Sequence, residues 1–257
     1  MSDDWNFYLC NVNDALASIF IDLGLRKRVP DTSRPHLLWV LVNLRWPRED
    51  GLSAPTEFDS LKKIEEKLTA TLNLGFDAVW CGRITTDARR EFYYYAPRCE
   101  RLETAVRDAM SQFRDYDFEC GAKSDPEWRQ YLDVLYPSDE ERQRIENRKV
   151  LEVLEQKKET LKAPRDVSHW IYFRSEADRD EFLHAVSPLE YRVQSKTERD
   201  GSVFPFGLCI VRFQSVKPIE IDGAVNELLR LAKTHRGDYD GWETQVIAHP
   251  PDPDGAR

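Results

Sequence analysis

The chain has 257 residues, a mass of 30.1 kDa, 41% hydrophobic and 32% charged residues, which is ample for a core beneath a well-solvated surface. A formal net charge of -9 and a pI near 5.2 argue against a broad phosphate-binding surface, which needs clustered Lys and Arg, and favour a basic protein partner. No apolar run approaches the roughly 20 residues that cross a bilayer, and the opening MSDDWNFYLC lacks the basic start of a secretory signal. Cys10, Cys81, Cys99, Cys120 and Cys209 are odd in number and show no C-x-x-C spacing, so they read as reduced thiols of a cytoplasmic protein.

The segments Trp5 to Cys10 and Ala15 to Gly24 are rich in aromatic and branched residues and form an expected hairpin. His36 to Leu44 is almost continuously apolar, as in a strand covered on both faces. Phe58, Leu61, Ile64, Leu68 and Leu72 then recur at helical spacing, with Thr56 as the expected N-cap. The pieces DAVWCGRIT and REFYYYA make a second hairpin about the turn TDAR. Leu102, Ala105, Val106, Ala109 and Phe113 mark a second helix, and YDFECG a further strand. From His36 the order is strand, helix, strand, strand, helix, strand, the split β-α-β-β-α-β pattern of a ferredoxin-like sandwich. SDPEWRQYLDVLYPS, residues 124–138, admits either a helix or a strand.

Ser138 followed by Glu141 forms an expected capping box for a highly charged helix, which Pro164 terminates. Its apolar stripe is thin, so it reads as a connector. The second half repeats the element order: strand VSHWIYF, a helix capped by Ser175, strands YRVQSKTER and FGLCIVRFQSV, a helix stopped by Gly237, and strand YDGWETQVIA. The fold class is therefore α+β, with two tandem ferredoxin-like sandwiches joined by a charged helix. The expected division is an N-terminal domain at 1–137, a connecting helix at 138–164, a second domain at 165–248 and a disordered tail at 249–257.

No dinucleotide, P-loop or nucleophile-elbow motif occurs. The histidines His36, His169, His184, His235 and His249 never stand at ligand spacing, so neither a metal nor a cofactor is expected. No catalytic acid and base pair can be nominated. Arg83, Asp87 and Arg90 cluster about a hairpin turn. They suit either an anion or partner clamp or a solvated turn with charges paired across strands. The aromatic run EFYYYA suits either sheet packing or base stacking on single-stranded RNA.

The end of the chain, VNELLRLAKTHRGDYDGWET, and the unit HWIYF followed by SEADRDEFL resemble the bacterial regulator of ribonuclease E activity B (RraB) family, over roughly Val167 to Ile247. The N-terminal half resembles a bacterial domain family of unknown function often fused to RraB-like domains. It does so in WNFYLC, ASIFIDLGL, HLLWVLVNLRWPREDGLS, GRITTDARREFYYYA and SDPEWRQYLDVLYPS. The RraB resemblance implies a ferredoxin-like fold and a non-catalytic protein that binds a ribonuclease of the ribonuclease E type and restrains or remodels it. The partner-binding residues expected within the tail motif are Tyr239, Asp240, Trp242 and Glu243. Within that motif Trp242 reads as a structural latch, while Asp240 and Glu243 read as exposed contacts. The alternative readings are an RNA-binding module built on the N-terminal aromatic strands and an immunity-like protein that neutralises a basic toxin.

Overall fold

The computed structural model describes residues 4–159 and 161–247, so the expected tail at 249–257 lies outside the described residues. The chain divides into two compact units, Met1–Glu141 and Arg142–Arg257.

The first unit opens on a hairpin of β1 (Trp5–Val12) and β2 (Ala15–Asp22). Its two-residue turn holds Asn13 and Asp14 at positive φ, a conformation these short polar side chains tolerate. There follow β3 (His36–Asn43), α1 (Phe58–Phe76), β4 (Val79–Thr86), β5 (Arg89–Ala96), α2 (Leu102–Met110) and β6 (Phe118–Ser124). The six strands form one antiparallel sheet in the order β1-β2-β4-β5-β3-β6. The last four strands of that order carry the ferredoxin-like connectivity, and the hairpin extends the sheet from β4.

Thr56 does not cap α1. It sits inside a 3-10 turn, Pro55–Glu57, whose first position is taken by a proline that needs no N–H partner. The helix runs past Leu72 to Phe76 and stops where Asp77 adopts a left-handed conformation. Leu61, Ile64, Leu68 and Leu72 of α1 and Val106 of α2 pack against Leu38, Val40, Val42, Phe92 and Tyr94. The alternate residues Leu37, Tyr93 and Tyr95 are buried on the opposite face, which is why β3 and β5 read as unbroken apolar runs.

That second face is covered by the stretch whose sequence admits two readings. Trp128, at positive φ, stacks on Tyr95 with ring centroids 3.8 Å apart. A π-helical turn, Gln130–Leu135, follows it. The Tyr131 hydroxyl donates to the Asp22 carbonyl at 2.8 Å, and the Tyr8 hydroxyl donates to the Leu135 carbonyl at 2.8 Å. The turn therefore roofs the sheet with aromatic rings whose polar ends are satisfied.

The helix α3 (Asp139–Gln156) begins with the capping box, Ser138 N–H on Glu141 and Glu141 N–H on Ser138 Oγ. Then come β7 (Arg165–Phe173), α4 (Glu176–Val186), β8 (Arg192–Glu198), β9 (Phe206–Gln214), α5 (Pro218–Thr234) and β10 (Gly237–Thr244). The antiparallel order β10-β7-β9-β8 is that of a ferredoxin-like sandwich. One face of the sheet presents Val167, Ile171, Phe173, Leu208 and Ile210 to Phe182, Val186, Ile221, Val225 and Leu228. The charged helix read as a connector also contributes Leu151 and Leu154 to this core. Its stripe is thin, but both leucines are buried.

Ser175 caps α4 as expected, its side chain accepting the Asp178 N–H. Gly237 does not cap α5, which ends on His235, with Arg236 at positive φ. Gly237 instead opens β10, where a Cβ would lie 2.6 Å from the Phe173 ring. Glycine is required there for close approach rather than for turning.

Candidate functional site

The GDYDGWET strand is where sequence reasoning concentrates, and its chemistry is set by one irregularity of register. Tyr239 pairs with Ile171 and Gly241 with Trp170, so Asp240 is an extra, bulged residue. The bulge changes the parity of the strand. Tyr239 and Trp242, three positions apart, consequently both face the helices.

Both are buried, at 6% and 8% exposure. The Trp242 indole donates to Asn147 Oδ1 at 2.8 Å, and Asn147 Nδ2 donates to Asp222 Oδ1 at 2.7 Å. One chain of hydrogen bonds thus ties β10, α3 and α5. Tyr239 OH lies 2.8 Å from His169 Nδ1 in the core. Burial, followed by the charge of Arg212, pushes His169 down to about 3, so the ring is neutral at physiological pH. The expected set of four contacts is corrected accordingly. Tyr239 and Trp242 are buried in the core of the unit, whereas Asp240 and Glu243 are exposed.

The other face of the sheet carries Ser168, Trp170 and Tyr172 of β7 and Cys209, Val211 and Phe213 of β9. Phe213 is 67% exposed. The Trp170 indole donates to Glu243 at 3.3 Å. An open groove of about 720 Å3 crosses one end of this face, lined in part by Asp166, Arg192, Val211, Phe213, Glu243 and Ile247. A buried ion pair, Arg165 with Glu159, holds the segment after β10: Arg165 donates to the Gln245 carbonyl and Glu159 accepts the Ile247 N–H. Sequence reading missed this pair, because the two residues carry no motif and meet only through the turn between α3 and β7.

In the first unit, Arg83 pairs with Glu65 of α1, and Arg90 donates to Thr85 and Ser53. Burial, then the neighbouring charge of Arg83, lowers Arg90 to about 10, and burial raises Glu65 against the pull of both arginines. Asp87 lies apart at the hairpin tip, exposed and at positive φ. The clamp reading is corrected: Arg83 and Arg90 come together, but as members of an internal charge network. Phe92, Tyr93, Tyr94 and Tyr95 are all buried, between 0% and 6% exposed, so these rings offer no stacking platform for RNA. Among the described residues, no three His, Cys, Asp or Glu gather in a metal-binding group, and no helix is long and apolar enough to cross a membrane.

Fold and site thus define a two-unit α+β protein in which a ferredoxin-like unit with an open sheet face follows a larger one with both sheet faces covered. Residues 3–136 match the Family of unknown function (DUF695), and residues 144–244 match Regulator of ribonuclease activity B. The chain belongs to the DUF695 family and carries a C-terminal Regulator of ribonuclease activity B domain. No curated protein matches it. Two solved structures are similar at 10% identity. An unknown protein from Galdieria sulphuraria has a TM-score of 0.22, covering 82% of this chain and 99% of its own. A chain solved as "putative glycine cleavage system transcriptional repressor" has a TM-score of 0.24, covering 82% and 98%.

Proposed function

We propose that the protein is a non-catalytic, cytoplasmic regulator that binds a ribonuclease of the ribonuclease E type and modulates its activity without a cofactor. The observation that carries this reading is the match of residues 144–244 to Regulator of ribonuclease activity B. The site supports it physically. Asp240 and Glu243 stand exposed on a strand whose buried neighbours, Tyr239 and Trp242, keep it rigid. An acidic, preorganised edge suits a basic protein segment, because charge complementarity speeds encounter and a fixed strand loses little entropy on binding.

The test is a cleavage assay with the purified full chain and the ribonuclease E-type enzyme of the same host, using a single-stranded RNA substrate. The expected result is a concentration-dependent change in cleavage rate together with direct binding of the enzyme. Unchanged cleavage and no binding at micromolar, folded protein would sink the proposal.

A further inference from the structure

The open face of the second sheet has a lateral order that the ribonuclease reading does not use. Reading across the strands, one row runs Arg192, Val211, Ser168, Glu243. The next runs Ser195, Cys209, Trp170, Gly241, and a third runs Thr197, Gly207, Tyr172, Asp238. Arg199, just beyond Thr197, lays its guanidinium 5.0 Å over the Tyr172 ring. The β8 margin of the face is therefore basic through Arg192, with Arg199 turned inward over β7, and the β10 margin is acidic, through Asp238 and Glu243. The centre alternates large rings on β7 with Gly207 and Cys209 on β9.

We propose that this face binds a second copy of the same chain, sheet to sheet, about a two-fold axis parallel to the strands. Such an axis lays β10 over the second copy's β8, and β7 over its β9. Glu243 then meets the second copy's Arg192, and symmetry makes the pair twice. Arg192, which already bonds Asp166 at 2.8 Å and is 67% exposed in its side chain, becomes shared between two carboxylates. Gly207 and Cys209 are already buried by their own neighbours, so the second copy meets the partly exposed Trp170 and Tyr172 and the exposed Phe213.

A two-fold axis perpendicular to the strands would instead stack acids on acids and arginines on arginines. The charge pattern selects the first arrangement, because like charges brought together at an interface cost several kcal/mol. Aligned packing of two sheets about 10 Å apart is a standard solution for an exposed sheet face. The face measures roughly 19 by 26 Å, about 500 Å2 before side-chain relief is counted, which suits a weak or transient dimer rather than the about 800 Å2 per partner of a standard interface.

The inference rests on strand register and is independent of the ribonuclease reading. Glu243 belongs to both surfaces, so a second copy and a basic partner compete for it.

The test is sedimentation equilibrium of the full chain from about 1 to 100 μM, the span in which transient to moderate dimers assemble. A species of twice 30.1 kDa is expected. Arg192→Glu and Glu243→Arg should each weaken self-association roughly tenfold or more. The double variant, which exchanges the two charges, should restore it, with circular dichroism confirming that all three variants fold. A chain that stays monomeric at the highest concentration overturns the proposal. So does a dimer indifferent to both single variants, or a double variant no better than either one.

Discussion

Trp242 and Asn147 stand 95 positions apart in the sequence, yet the indole of one donates to the amide oxygen of the other across 2.8 Å. Because Asn147 also donates to Asp222, removing either end strands a buried polar group. Trp242→Ala should cost the second unit about 3 to 5 kcal/mol, and Asn147→Ala about 1 to 3 kcal/mol. Hydrogen exchange along a urea titration resolves the two units. Protection should fall in residues 142–247 and hold in residues 4–141. Equal losses in both units would contradict the role of this bond.

Asp240→Ala with Glu243→Ala should leave thermal stability within about 0.5 kcal/mol, since both side chains are exposed. Ribonuclease binding should weaken and lose part of its salt dependence, as expected when rim charges that steer encounter are removed. Titration calorimetry at two ionic strengths reads both effects. A large stability loss with binding intact would reverse the division of the motif into packing and contact residues.

His169 makes the second unit sensitive to mild acid. In the fold it stays neutral down to about 3, while the unfolded chain protonates it at the ordinary 6.5. Between those values the unfolded state binds the extra proton. The contribution is therefore fully present above pH 6.5 and is lost as pH falls, by about 1.4 kcal/mol per unit. Urea midpoints for the second unit should drop between about pH 6.5 and pH 5, where ordinary carboxylates still remain ionised. In His169→Gln the midpoint should start lower but stay flatter over that range. A wild-type midpoint constant across the range would contradict the buried, neutral ring.

Trp128→Ala should strip the roof from the first unit. The substitution removes the 3.8 Å stack on Tyr95 and the bond from the indole to the Asp31 carbonyl. A loss of about 3 to 5 kcal/mol is expected, confined to the first unit. Increased binding of a hydrophobic dye is expected too, as the sheet face that bears Tyr93 and Tyr95 opens to water. Unaltered melting would show that the π-helical turn is not needed to cover the sheet.

Much of the architecture was legible beforehand, and the misses share a cause. The amphipathic stripe of α1, the hairpin about Asp87 and the Ser138–Glu141 box all rest on near neighbours, and all are present. Thr56 and Gly237 misled because each has the residue type of a cap while the backbone uses it otherwise: Pro55 starts the helical turn, and Gly237 makes room for Phe173. The aromatic run from Phe92 to Tyr95 could not declare whether one sheet face or both would be covered. The covering layer comes from Trp128 and Tyr131, more than thirty positions later.

The sequence by itself determined the order of strands and helices in both units, because periods of two and of about 3.6 residues arise from the local geometry of the chain. The tertiary structure alone decided which residues of that order are buried and which are exposed. One extra residue at Asp240 reverses the parity of β10 and turns Trp242 inward toward Asn147. A bulge exists only relative to the strand it pairs with, so its consequence for Tyr239, Asp240, Trp242 and Glu243 could be settled only when β10 lay against β7.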